Sequence, residues 1–143
     1  MSNTTTIKAI IKNIEAILSV SLKKLDLFGG APETLPDYTS APVYYILYDG
    51  ETPEYNHSQK PGYVEADLKI VLKWQSMGIS AARDKTIEWF HTIRDALTVN
   101  ALNVGDLAAS KLVSKITVSK PDLDVQPAEL LLTYTTTVRY REA

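Results

Sequence analysis

From Val64 to Trp74 the chain alternates without a slip. Val64, Ala66, Leu68, Ile70, Leu72 and Trp74 fall on one side, and Glu65, Asp67, Lys69, Val71 and Lys73 on the other. A period of two belongs to a strand, whose successive side chains point to opposite faces. One side is wholly apolar and the other mostly charged, so the strand belongs in a sheet with one buried face.

The C-terminal segment repeats the pattern. Leu130, Leu132, Tyr134, Thr136, Val138 and Tyr140 alternate with Leu131, Thr133, Thr135, Thr137, Arg139 and Arg141. This reads as a long final strand with one wetter face, since threonine favours strands. Leu112 to Ser119 alternates likewise. Val43–Tyr48 is dense in β-branched and aromatic residues and reads as a short strand that ends at Asp49-Gly50. Pro121 to Pro127 reads as a polar connection.

Two segments have helical spacing instead. Ile7, Ile10, Ile11, Ile14, Ile17, Leu18, Leu22 and Leu25 follow steps of three and four, with Thr5 or Thr6 as cap and Gly29-Gly30 as stop. Ile87, Phe90, Ile93 and Leu97 form a second stripe, with Ser80 as its N-cap. The order is therefore α-β-β-α-β-β. A two-layer α+β sandwich satisfies it, with two helices on one face of a four-stranded, mainly antiparallel sheet. At 143 residues the chain is read as a single domain over 1–143. Residues 49–63 read as a long projecting loop, too long for a tight hairpin turn.

The residue types narrow the chemistry. The formal net charge is -2, where a free-standing electrostatic nucleic-acid binder is usually strongly basic. There is no cysteine, which removes disulfides, thiolate nucleophiles and cysteine-ligated zinc. His57 and His91 are the only histidines, and no ligand spacing joins them. No nucleophile elbow, phosphate-cradling loop or dinucleotide fingerprint occurs. The expectation is a non-enzyme with no catalytic residue, metal or cofactor. No apolar run approaches the roughly 18–20 residues that span a bilayer, and the N-terminus lacks the layout of a signal peptide, so the chain is expected to be soluble and made in a cytoplasm.

Residues 26–67 hold eight acids and one base, Lys60, and six of the eight tyrosines fall between Tyr38 and Tyr63. Such a surface repels phosphate. It reads either as a solvated acidic surface or as one that DNA passes without sticking. Tyr55 and Tyr63 flank the long loop, where aromatics serve as anchors for a protein partner. His57 lies within that loop.

The pattern resembles the tail terminator, or tail completion, proteins of long-tailed bacteriophages. An amphipathic N-terminal helix precedes LPDYTSAPVYYILYDG, a variable loop containing HSQKPG, the strand YVEADLKIVLKW, the helical SAARDKTIEWFHTIRDAL and two last strands. The resemblance spans roughly residues 5–141 and lies in element order and hydrophobic pattern. It implies a virion structural protein at the head-proximal end of the tail, made in the host bacterial cytoplasm. Copies would close into a ring, usually a hexamer, that stops tail-tube polymerisation. The ring would dock the neck or head connector and leave a channel that DNA crosses without specific binding. On this reading Tyr55, His57, Tyr63, Arg139 and Arg141 are candidates for the subunit or tail-tube interface, the arginines by pairing with acids across a subunit boundary. Glu51 and Glu54 are candidates for the channel lining. A head-tail connector or neck protein is the alternative within that class. A small intracellular RNA- or peptide-binding module is the alternative outside it.

Overall fold

The computed structural model describes residues 2–24, 42–54, 62–75, 77–125, 127 and 129–142. Helix α1 covers Asn3–Leu18 and a two-residue strand β1 Lys23–Lys24. Strands β2 (Val43–Glu54) and β3 (Tyr63–Gln75) follow, then helix α2 (Ile79–Ala96) and the short α3 (Val99–Leu102). Strands β4 (Val113–Val118), β5 (Asp122–Val125) and β6 (Glu129–Arg141) end the described chain.

The architecture is α+β. Strands β2, β3, β6 and β4 lie side by side in that order and pair antiparallel. The sequence expectation of four strands needs correcting. β5 also pairs antiparallel with β6, so among the described residues the antiparallel sheet has five strands, and β1 adds two residues parallel to β2. Within the span read as a polar connection, Asp122, Leu123, Asp124 and Val125 alternate, and β6 is long enough to pair with β5 along its first half and β4 along its second. The brevity of β5 and its flanking prolines hide it in the sequence.

The central pair is β3 and β6, each 13 residues long and in register from Tyr63 opposite Arg141 to Gln75 opposite Glu129. Its even-numbered residues are the core. Ala66, Leu68, Ile70, Leu72, Leu132, Tyr134, Val138 and Tyr140 are fully buried. Ile10 and Ile14 of α1 and Ile93 of α2 are buried in the same cluster, so both long helices cover one face. Each buried leucine, isoleucine or valine among them contributes about 1.5–3 kcal/mol by leaving water.

Helix α1 is capped by Ser2, whose Oγ accepts from the Thr5 N–H, three or four residues ahead of the expected Thr5 or Thr6. It stops at Leu18, well before Gly29-Gly30. Ser19, Val20 and Ser21 are weak helix formers, and Val20 lies 86% exposed. Leu22 still reaches the core from the turn beyond, which is why it kept helical spacing with Ile14 and Leu18. The start of α2 also differs: its cap position is Gly78, two residues before Ser80.

Thr136 is fully buried between Leu68 and Val118, and its Oγ1 has no hydrogen-bond partner among the described residues. An unpaired buried hydroxyl costs about 1–3 kcal/mol, and valine has the same shape. Thr136→Val is expected to stabilise the protein by about 1–2 kcal/mol in urea unfolding. A loss of stability would show that the hydroxyl has a partner.

Candidate functional site

Strand β2 does not end at Asp49-Gly50 but bulges there. Tyr48 opposes Leu68, Glu51 opposes Ala66, and Asp49 and Gly50 together face Asp67. Gly50 has a φ of 104°, open to glycine and strained for other residues. The bulge carries β2 on to Glu54, so the expected loop 49–63 is strand at both ends. Tyr55 and His57 lie outside the described residues.

The bulge also sets where the two candidate acids point. Glu51 opposes Ala66 and so shares the helix-covered face, where it accepts a hydrogen bond from the Tyr140 hydroxyl. Glu54 opposes Tyr63 and lies on the other face. The two carboxylates therefore stand on opposite faces of β2, and no single face of the sheet presents both.

Glu54, Tyr63 and Arg139 form one cluster on the open face. Arg139 Nε donates to Glu54 Oε2 at 2.6 Å, and its guanidinium carbon lies 3.6 Å from the centre of the Tyr63 ring. Its Nη1 donates to Ser114 Oγ at 3.1 Å. A planar guanidinium suits this set, because it stacks on an aromatic ring while its edge donates. Arg139 thus fastens four strands at one end of the sheet. Arg141 donates to the Ser110 carbonyl at 3.2 Å. Both arginines make these contacts within one chain, so Arg139 meets Glu54 without a neighbouring subunit. Ser110 and Ser114 escaped the sequence reading, for they lie far from the arginines in the chain and follow no spacing.

The rest of the open face carries bands of charge. Glu65 and Asp67 adjoin the Arg139 cluster, and Asp67 accepts from Thr137 Oγ1 at 2.9 Å. Lys69 and Lys73 lie further along β3, with Lys73 paired to Glu129 at 3.4 Å. Opposite Val71, Lys69 and Asp67, β6 lays down Thr133, Thr135 and Thr137.

The sheet has two dissimilar edges. On one, β2 is covered by β1 only at Val43 and Tyr44. Beyond that, no strand pairs with its outer side among the described residues. Leu47 and Tyr48 are 46% and 53% exposed there. On the other edge, β5 exposes Leu123 and Val125. A groove of about 390 Å³ runs along the first edge between α1 and β2, lined in part by Ile7, Lys8, Ile11, Tyr48 and Glu51.

Among the described residues no three His, Asp or Glu side chains are grouped to hold a metal ion. His91 is exposed on α2 and accepts from Arg94 at 3.0 Å. No described helix is long and apolar enough to cross a membrane. No family model matches the chain, and no curated protein matches it.

Proposed function

We propose that the protein is a virion structural subunit, a tail terminator that closes into a ring on the head-proximal end of a phage tail tube. The observation that carries this reading is the pair of unlike edges on one sheet. A ring of identical subunits needs two different patches that meet head to tail, and a strand edge bearing exposed apolar side chains is such a patch. The resemblance in element order, from α1 through β6, supplies the biological setting. Tube protein and neck or head connector are then the partners above and below the ring, and DNA passes through its centre.

The fastened end of the sheet suits a load-bearing part. Arg139 holds the end of β2 and the starts of β3 and β4 to β6. Tyr63 stands at this braced end, stacked on Arg139, and on this reading it is held there for a partner, with Tyr55 and His57 as further candidates from the segment between the two strands. The channel wall would take one of Glu51 and Glu54 rather than both, and Glu54, with Glu65 and Asp67 on the open face, fits that role better.

The test is the deletion of this gene from the phage or prophage that carries it, with tail lengths measured in negative stain. Tails of variable, excessive length that fail to join heads are expected. Particles of normal length with heads attached would rule the proposal out.

A further inference from the structure

We propose that the ring contact is a continuation of the sheet itself: β5 of one copy pairs antiparallel with Tyr45–Leu47 of β2 in the next. This rests on the ring reading above and specifies its interface.

Strand direction favours it. β2 runs parallel to β6, because both are antiparallel to β3, and β5 runs antiparallel to β6. Placing β2 of one copy beside β5 of another, with the sheet order kept, makes the new pair antiparallel, the arrangement in which short strands pair best.

The faces match as well. Leu123 and Val125 align with Leu132 and Leu130 on the helix-covered face, which is the face of Ile46 and Tyr48. Leu123 set opposite Ile46 would enter beside the groove formed by Ile7, Ile11 and Tyr48. In that register Asp122 stands opposite Leu47 on the open face, next to Lys69, the residue paired with Leu47 across β2 and β3. Lys69 has no ion pair among the described residues, and its stem is long enough to cross the strand between. The new pairing stops short of Tyr44, which Lys24 of β1 already pairs.

Pairing of like edges is disfavoured. Two β5 strands side by side would bring Asp122 and Asp124 against their own copies, and like charges directly opposite destabilise a sheet. Along β2, Asp49, Glu51 and Glu54 would meet theirs. Pro53 interrupts the far end of that edge as well, a common device against open-ended pairing.

The lack of cysteine makes the test clean. Leu47→Cys and Asp122→Cys variants of the full chain are mixed and treated with a short bis-maleimide, and light scattering reports the mass of the untreated protein. A covalent dimer is expected from the mixture and none from either variant alone, with a ladder of multimers from the double variant. Leu123→Lys is expected to weaken association at least about tenfold while changing the melting temperature of the dilute, unassociated chain little, since Leu123 is 36% exposed there. Multimers that form without the 47–122 cross-link, or single variants that cross-link to themselves, overturn the edge pairing but leave the ring reading standing. A chain that stays monomeric and uncross-linked even on tail tubes overturns both.

Discussion

Tyr44→Ala is expected to lower the stability of the protein by about 3–5 kcal/mol, the cost of emptying an aromatic site in a packed core. Tyr44 is fully buried on β2 opposite Leu72. Its hydroxyl donates to the Glu15 carbonyl at 2.9 Å and lies 2.6 Å from Ser19 Oγ, which donates in return. Glu15 belongs to the last turn of α1, and its carbonyl already accepts from the Ser19 N–H at 2.9 Å, so the phenol adds a second bond where the helix ends. The one side chain therefore fills the core and also anchors the end of the helix that the sequence places ambiguously. Tyr44→Phe separates the two roles and should cost only about 1 kcal/mol. Urea unfolding of both variants decides the matter. If the phenylalanine variant loses as much as the alanine variant, the hydroxyl network holds α1 and the packing is secondary. If neither loses stability, α1 is not seated on β2.

High pH should unfold the protein through its buried phenols. Burial raises Tyr134, Tyr140 and Tyr44 above the usual tyrosine value of 10.0, and for Tyr140 the neighbouring Glu51 carboxylate pushes the same way. In the unfolded chain these groups release their protons near pH 10, while the native state still holds them. The unfolded state then binds fewer protons, so stability falls as pH rises. The contribution is whole below about pH 10 and is lost above it, by up to about 1.4 kcal/mol per pH unit for each tyrosine. Tyr134→Phe isolates one of them. Its hydroxyl reaches the Thr86 carbonyl only at 3.5 Å, so the variant should unfold like the parent at neutral pH yet decline less steeply in alkali. Parallel declines for parent and variant would remove Tyr134 from this account.

The long amphipathic strands were legible in the sequence because their signal is local. Leu68, Ile70 and Leu72 face the core for the reason that their neighbours are charged, and the paired half of the pattern in β6 says the same. The helical stripes of α1 and α2 were legible on similar grounds, though their ends were not. Leu22 kept the spacing of a helix that had already stopped, because the turn after Leu18 returns it to the same core. Asp49-Gly50 carried the composition of a turn while serving as a bulge, and only the register of β2 on β3 tells the two apart.

The candidate site was less legible. Arg139, Glu54, Tyr63 and Ser114 come from four strands, and nothing in their spacing announces that they meet. Glu51 and Glu54 looked alike as acids of one segment, yet the bulge and the alternation of β2 send them to opposite faces. Leu123 and Val125 read in the sequence as parts of a connection, and they are informative only as the outer edge of a sheet whose other edge is β2.

The most direct test of the proposed terminator role is to add the purified protein to polymerising tail-tube protein encoded in the same genome and record tube lengths and end-on views by electron microscopy. Tubes that stop growing, each bearing a closed collar of copies of this chain at one end, are the expected result. Tubes that lengthen as they do in its absence, with the chain left in solution as a monomer, would contradict the account.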